Sequence, residues 1–335
     1  MKFSVIIPVY NRIDEVRDLL QSLSEQSCKD FEVVIVEDGS TDRCDEVCRE
    51  YADRVDVKYY YKENEGRSIA RNYGLEHASG DYFIFFDSDC VIPSDYFEVL
   101  SRKLQDNYLD CFGGPDAAHD SFTPTQKAIN YAMTSFLTTG GIRGGKVKLE
   151  KFVPRTFNMG FSRAVYDKVG GFREMFSEDI DMSTRIRHAD FSIGLVREAK
   201  VWHKRRVDFR KFFRQVYVFG MSRITLKLLY PDSLKLVHIL PAAFVIGCLV
   251  LIVLGICVSW WFFMPIVAYF TAIFIGAWIS TKSFKIACLA VPASAIQLTG
   301  YGLGFIKSFT QKILLRKGRD INEEINIRKG KNEKL

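Results

Sequence analysis

Between Lys235 and Ile306 the sequence has no aspartate and no glutamate, and its only lysines or arginines there are Lys235, Lys282 and Lys285. A run this long without acids excludes a purely water-soluble chain, because about 20 apolar residues suffice to cross a bilayer core. Glycine is missing where a dinucleotide-binding fold needs it: the first strand leads into Pro8-Val9-Tyr10-Asn11-Arg12, and pyrophosphate cannot approach a helix N-terminus without a glycine-rich turn. The eight cysteines (Cys28, Cys44, Cys48, Cys90, Cys111, Cys248, Cys257, Cys288) contain no Cys-x-x-Cys and no histidine partner at zinc spacing, so they read as reduced thiols and small hydrophobes. No repeat and no sustained heptad is present, which excludes solenoids and coiled coils. The apolar run at the N-terminus stops at Pro8, too early for a signal peptide, and reads as a first strand.

What is present is a chain of 335 residues, 48% apolar and 14% aromatic, with formal net charge +6. The charge is uneven: residues 1–234 carry 34 basic and 36 acidic side chains, and residues 307–335 carry 9 against 4. The surplus belongs to the tail, so a nucleic-acid surface is excluded, and a basic flank beside apolar spans points to a membrane with the tail and the N-terminal domain on its cytoplasmic side.

Residues 1–120 alternate β-branched or aromatic runs with helix-period segments, the pattern of βαβ units and a mostly parallel sheet. Strands are expected at Val5–Ile7, 31–36, 57–61 and 82–86, and helices around 16–23, after an Asp42 cap, and over 68–77. Residues 122–139 read as one helix, Gly140–Gly145 as a loop, 157–161 as a strand, 162–169 as a helix, and Ser177 as the cap of a helix opening Glu178-Asp179-Ile180-Asp181. A strand over 191–201 delivers Trp202-His203, and 209–230 mixes aromatics with Arg210, Lys211, Arg214, Arg223 and Lys227 as an interfacial helix does. Spans follow at 236–258 and 261–280, with Trp260-Trp261 as an aromatic belt. A third, 286–306, is broken up by Pro292, Gln297, Gly300, Gly302 and Gly304. Three crossings would put the basic tail opposite the N-terminal domain, so the third segment is re-entrant or the charge rule fails. The expected domains are 1–208 α/β, 209–234 interfacial, 235–306 transmembrane with two or three spans, and 307–335 a basic tail.

The chemistry collects at strand ends. An open α/β sheet binds ligands at its carboxyl edge, where Pro8-Val9-Tyr10-Asn11, Glu37-Asp38 and Asp87-Ser88-Asp89 all fall. Two carboxylates at i and i+2 after a buried strand can share one hard divalent cation, leaving positions for water and phosphate. Alone, an Asp-x-Asp is more often a solvated loop; here the fully apolar Phe83-Ile84-Phe85-Phe86 before it and the second acidic strand end argue for a nucleotide diphosphate on a metal.

In this order and spacing, Ser4 to Asn11, Val36 to Asp42, Asn64-Glu65-Gly66-Arg67 to Gly74, Gly80 to Asp89 and Gly170-Gly171-Phe172 to Asp179 resemble the inverting glycosyltransferases of family 2, over about residues 3–225. The resemblance implies a GT-A fold, an α/β Rossmann-like, mostly parallel sheet, followed here by C-terminal transmembrane helices. It implies that Pro8, Tyr10, Asn11 and Asp38 hold base and ribose, that Asn64 and Arg71 lie near base and diphosphate, and that Asp87, Ser88 and Asp89 meet the diphosphate. Asp87, Asp89 and His203 become ligands of Mn²⁺ or Mg²⁺, and Asp179, beside Glu178, becomes the general base. Asp181 is the neighbouring alternative, though two residues on it points about 200° round a helix. Helix capping for these acids, a surface histidine, and a solvated face for Arg205, Arg206, Arg210 and Arg214 are the plainer alternatives.

The sequence departs from the processive synthases of the family. Arg214-Gln215-Val216-Tyr217-Val218-Phe219 lacks their Gln-x-x-Arg-Trp, and the spans are few for a secretion channel, so single additions are expected. The donor is then a nucleotide diphosphosugar, UDP before GDP by family habit. The acceptor is a lipid-linked or membrane-proximal glycan, as in the subgroup making bacterial surface polysaccharides that Tyr301-Gly302-Leu303-Gly304-Phe305 resembles. Membrane lipids are further partners, and a homo-oligomer is compatible with the sequence. The expected location is a multi-pass protein of the cell membrane. The alternatives are a polyprenyl-phosphate glycosyltransferase and a non-catalytic sugar-nucleotide-binding scaffold.

Overall fold

The computed structural model describes residues 1–117, 122–139, 152–203 and 208–317. In chain order the first elements are β1 (Phe3–Val9), α1 (Ile13–Ser24), β2 (Phe31–Asp38), α2 (Asp45–Tyr51), β3 (Asp56–Lys62), α3 (Arg67–His77), β4 (Tyr82–Phe85), β5 (Cys90–Val91), α4 (Tyr96–Asp106), β6 (Cys111–Gly113) and β7 (Asp116–Ala117). There follow α5 (Pro124–Thr134), α6 (Phe136–Thr139), β8 (Met159–Ser162), α7 (Arg163–Val169), α8 (Glu178–His188), β9 (Ile193–Leu195), β10 (Val201–His203), α9 (Phe209–Leu229), α10 (Leu236–Cys257), α11 (Met264–Thr281) and α12 (Phe284–Phe309). They group into two compact units, 1–119 with 152–204 and 120–151 with 205–335.

The first unit is built on a seven-stranded sheet of order β3-β2-β1-β4-β8-β6-β9. The four strands of the βαβ units are parallel, β8 runs antiparallel to β4 and β6, and β6 and β9 are parallel. Successive side chains of a strand face opposite sides of a sheet. Thus Phe3, Val5, Ile7 and Val9 enter one core with α1 and α4, while Ile6 and Val34 enter the other with α3, α7 and α8. A short sheet β5-β10-β7 stands apart from it.

Several local expectations change. Asp42 does not cap α2, which begins at Asp45; Glu37 Oε2, at the end of β2, accepts the Cys44 N–H there instead, at 2.8 Å. The single helix expected over 122–139 breaks at Ser135, whose backbone is extended, where Thr138 turns its hydroxyl onto the Ala132 carbonyl. Its start is set by a Thr123–Gln126 capping box with Pro124 in the first turn. Residues 156–158 form a 3₁₀ turn before β8, because buried Asn158 is pinned by Tyr96 Oη and the Ala199 carbonyl. The long strand expected over 191–201 is two short ones, β9 and β10. The Gly140–Gly145 loop, Arg205, Arg206 and the tail beyond 317 lie outside the described residues.

One buried ion pair gives the first unit an acid-sensitive stability. Glu32 is fully buried in β2 and accepts from Ser4 Oγ, Ser79 N and Lys58 Nζ, each at 2.5 Å. Burial pushes its pKa up, but Lys58, Ser4 and Ser79 together outweigh that and hold it at about 2. The folded value lies below the unfolded one of about 4.3, so the stabilisation is present above that pH and is lost as pH falls towards 2. Glu32→Gln therefore flattens the fall in stability over this window, an effect of about 3 kcal/mol, measurable by thermal unfolding from pH 5 to pH 2.5. An unchanged slope would place the acid sensitivity elsewhere.

In the second unit α10, α11 and α12 are each long and apolar enough to cross a membrane. The third is an unbroken helix of 26 residues, longer than the interrupted segment expected, and half of its most apolar stretch is buried. Its glycines are contact points. A methyl group on Gly304 would lie 2.0 Å from the Tyr217 carbonyl, one on Gly220 of α9 2.0 Å from the Tyr301 carbonyl, and one on Gly302 2.4 Å from the Pro241 carbonyl. Gly220→Ala or Gly304→Ala forces backbones apart and costs about 1–3 kcal/mol. Gly247→Ala, with nothing within 4 Å of the new methyl, leaves the melting midpoint in detergent unchanged, which makes it the control.

Candidate active site

Because β1, β2 and β4 are parallel, their carboxyl ends share one edge of the sheet. There the first-strand loop is tied to the second. Asn11, at φ 51°, accepts with Oδ1 from Thr41 N and Oγ1, and its own N–H donates to Ser40 Oγ at 2.8 Å. Tyr10 is thereby left 53% exposed above half-buried Pro8. Asp38 is buried and spends both oxygens on the β3–α3 loop: Oδ1 accepts from Lys62 Nζ and Glu65 N at 3.0 Å, Oδ2 from Gly66 N at 2.8 Å. The Asn64 amide donates to the Asp38 carbonyl at 2.8 Å, with Asn64 itself exposed. Gly39 is required here: its φ is +74°, and a Cβ would lie 2.6 Å from Asn64 N. Pro8, Tyr10, Asn11, Asp38 and Asn64 thus form one neighbourhood.

The acids form a second. Arg71, 1% exposed, donates to Asp87 Oδ1 at 2.8 Å and to Glu178 Oε1 at 3.1 Å. Arg67 donates to the other Glu178 oxygen at 2.9 Å. Both oxygens of Glu178 are therefore held in a buried ion-pair cluster, and Arg71 lies beneath the site with its guanidinium between two carboxylates. Arg67 is 58% exposed at its side chain. Burial would lower its pKa, but Glu178, Asp87 and Asp179 outweigh this and raise it. One guanidinium thus feels the acids of the β4 turn and of the start of α8 together.

Asp87, 35% exposed at its side chain, and half-buried Ser88 and Asp89 occupy the turn between β4 and β5. The next residue, Cys90, pairs with His203 across β5 and β10, so the His203 backbone lies beside this turn. Its side chain is outside the described residues. Asp179 is 14% exposed at its side chain, and its Oδ2 accepts from Arg155 at 2.9 Å. Ser177 is the N-cap residue of α8, as expected, with a left-handed φ of 65° and its carbonyl accepting from Ile180 N and Asp181 N, but its side chain makes no cap bond to the helix. Asp181 is fully buried between Arg173 (3.1 Å) and Arg185 (2.9 Å), less open than Asp179.

The glycine turn before α8 is tied to α3 and to the last turn of α8. Asn72 of α3 donates to the Phe172 carbonyl at 2.8 Å and accepts its N–H at 2.7 Å, and Arg185 donates to the Val169 and Gly171 carbonyls. Sequence reasoning missed Arg67, Asn72 and Arg155 as parts of this architecture. Arg67 and Asn72 lay inside a quoted motif, whereas Arg155 precedes the antiparallel strand β8 and carries no local signal.

Asp87 and Asp89 are hard oxygen donors suited to Mn²⁺ or Mg²⁺. Among the described residues no three acid, thiol or imidazole groups converge into a complete metal cage. Of the residues expected to hold a cation, Asp87 and Asp89 are the two whose side chains are described, and as a pair of carboxylates they suit one that completes its shell with water or phosphate.

Comparison with known proteins agrees with this architecture. The family Glycosyl transferase family 2 matches residues 4–170. Glycosyltransferase GlyA of Streptococcus pneumoniae is 43% identical over 110 residues, 32% of this chain and 16% of that protein. The uncharacterized glycosyltransferase EpsJ of Bacillus subtilis is 27% identical over 202 residues, 59% of this chain and 56% of that protein. The chain thus spans less than two thirds of the length of these curated relatives. Among solved structures, the mannosyltransferase PcManGT from Pyrobaculum calidifontis, in complex with GDP-Man and Mn²⁺, superposes with a TM-score of 0.63 at 16% identity, over 89% of this chain and 87% of that one.

Proposed function

Since the chain belongs, through residues 4–170, to glycosyl transferase family 2, we propose that it transfers a sugar from a nucleotide diphosphosugar to a hydroxyl of a lipid-linked or membrane-proximal glycan, with inversion. The observation that carries the reading is the buried cluster in which Arg71 bonds both Asp87 and Glu178, the neighbour of Asp179, while Arg67 bonds the other Glu178 oxygen. One guanidinium thus links the acidic turn after β4 to the start of α8, far apart in sequence, which supports reading Asp87 as the donor-side acid and Asp179 as the acceptor-side one.

Asp179 is the base: its carboxylate takes the acceptor hydroxyl proton as that oxygen bonds to the anomeric carbon, while the carbon–oxygen bond to the diphosphate breaks and its electron pair leaves with the phosphate. Arg155 orients the carboxylate through Oδ2. Glu178, its side chain 3% exposed and both oxygens paired to arginines, anchors the helix, whereas Asp179 is more open, with Arg155 as partner. Tyr10, Asp38 and Asn64 shape the nucleoside side. Asp87, Asp89 and His203 would hold the cation. When bound, Mn²⁺ or Mg²⁺ supplies positive charge to the leaving diphosphate. Arg67, solvent-open beside the same acids, supports that charge.

The test uses purified protein in detergent with lipid extract, Mn²⁺ and a panel of UDP- and GDP-sugars, reading nucleoside diphosphate release and, separately, nucleotide binding by calorimetry. Release from one donor, abolished by EDTA and restored by Mn²⁺, is the expected result. Nucleotide binding without release from any donor, polyprenyl phosphate added included, would overturn transfer in favour of a sugar-nucleotide-binding scaffold.

A further inference from the structure

Among the described residues three helices meet the length and apolarity of a span; α12 packs on the other two, at Pro241 and Ala242 of α10 and Ala277 of α11, but also on α5 and α9, which do not meet them. α9 runs beside it in the same direction: Phe212 joins the cluster of Ala293, Val216 and Phe213 abut Gly300, the Tyr217 carbonyl abuts Gly304, and Thr225 Oγ1 accepts from Lys312 at 3.2 Å. This register puts α9 residues 212–220 alongside α12 residues 293–305, with Thr225 reaching Lys312 just beyond the end of α12. α9 also carries Arg210, Lys211, Arg214, Arg223 and Lys227, and the first three are exposed. If α12 crossed a bilayer, Arg210 and Arg214 would sit level with its middle, where cations are rare and costly.

The covered stretch therefore lies outside hydrocarbon. What remains, residues 284–292, is about 13 Å of helix, too short for a core of about 30 Å. Even there α12 is packed, by Ala128 of α5 against Ile286, Ala287 and Ala290. Its interior is also the most polar of the three, with Ser294, Gln297 and Ser308 buried.

α10 and α11 differ. They pair as a hairpin, Phe244 against Tyr269 and Phe270, and Gly255 against Phe263. Only His238, Ala242 and Gly255 of α10, and Ile273 and Ala277 of α11, are buried. Lysines flank both feet (Lys235; Lys282, Lys285), and the stacked Trp260 and Trp261 sit at the tip, the pattern of a hairpin with both feet at one interface.

We propose that the chain crosses the membrane twice, through the α10–α11 hairpin alone, and that α12 lies at the lipid surface with α9. Residues before α10 and after α12 then emerge on the same side, and Lys282, Lys285, Lys307 and Lys312 all face one leaflet, as an anionic lipid surface selects. This holds whether or not the first unit is an enzyme.

The test adds Ser259→Cys at the hairpin tip or Lys317→Cys beyond α12 to the otherwise native full chain in sealed membrane vesicles. A membrane-impermeant maleimide is applied from either face, and labelled tryptic peptides are read by mass spectrometry, with partly exposed Cys28 marking the side of the first unit. Position 317 should label from the Cys28 face and position 259 from the other. Labelling of 317 from the face that labels 259 would overturn the proposal. If either cysteine is shielded, cytoplasm-dependent fluorescent reporters fused before Met1 and after Leu335 decide: equal signals are expected, and one bright end with one dark end overturns it.

Discussion

Asp179→Asn lowers kcat by about 10²–10⁴-fold, the usual worth of a positioned general base, and leaves the KM for the donor sugar little changed. The asymmetry follows from where the side chain sits. Asp179 opens α8 and is held by Arg155, whereas the nucleoside neighbourhood is built from the ends of β1 and β2 and the β3–α3 loop. Asparagine keeps the shape and an oxygen for the Ile180 N–H, which now donates to Asp179 Oδ1 at 2.8 Å, so the helix start persists. Steady-state release of nucleoside diphosphate, with donor and acceptor varied separately, measures both constants. A variant retaining more than about a tenth of the wild-type kcat would remove Asp179 from the base role. Asp181→Asn is the companion: that carboxylate is sealed between Arg173 and Arg185, so its loss lowers the unfolding midpoint rather than the turnover of folded protein.

The strand ends that build the site were legible because each follows an apolar run too continuous to be a loop. Phe83 to Phe86 fixes β4, and whatever follows must leave the sheet at its carboxyl edge, which places Asp87 and Asp89 from sequence alone. The partners of those acids were not legible. Arg71 reads in sequence as a diphosphate contact, yet it is buried under the turn between Asp87 and Glu178. Whether an arginine on α3 faces up or down depends on how α8 docks, and that depends on Asn72 gripping the Phe172 backbone from another segment. His203 is similar: sequence offers a histidine after a strand, and only the pairing of β10 with β5 brings its backbone beside the acidic turn.

The third apolar segment misled for a related reason. Glycine, proline and glutamine inside an apolar run read as interruptions when only the run is considered. In a helix surrounded by other helices the same glycines permit backbone contact, as at Gly302 and Gly304, met by Gly220 on the facing α9. The neighbours supply the meaning, and they come from α5, α9 and α10, which sequence order does not place around α12.

Arg71→Met destabilises the first unit by about 3–5 kcal/mol, the cost of breaking a buried charge pair from one side. That corresponds to a fall of about 6–20 °C in its melting midpoint for a unit of this size. Glu178, 2% exposed, would keep only Arg67, whose own side chain is largely in solvent and pulled also by Asp87 and Asp179. Asp87 would lose the group that fixes it 2.8 Å away. Removing both charges separates stability from position: in Arg71→Met/Glu178→Leu no unpaired Glu178 remains, and burying apolar groups in place of an ion pair is often neutral or favourable, so much of the melting midpoint returns. Activity does not return with it, because the β4 turn and the start of α8 are no longer joined through one guanidinium and Asp87 and Asp179 are free to shift relative to each other. Melting by circular dichroism and kcat, measured on both variants, distinguish the two roles. A double variant that regained stability and turnover together would reduce the Arg71–Glu178 pair to packing, whereas stability regained without turnover identifies it as the strut that sets the spacing of the two reactive acids.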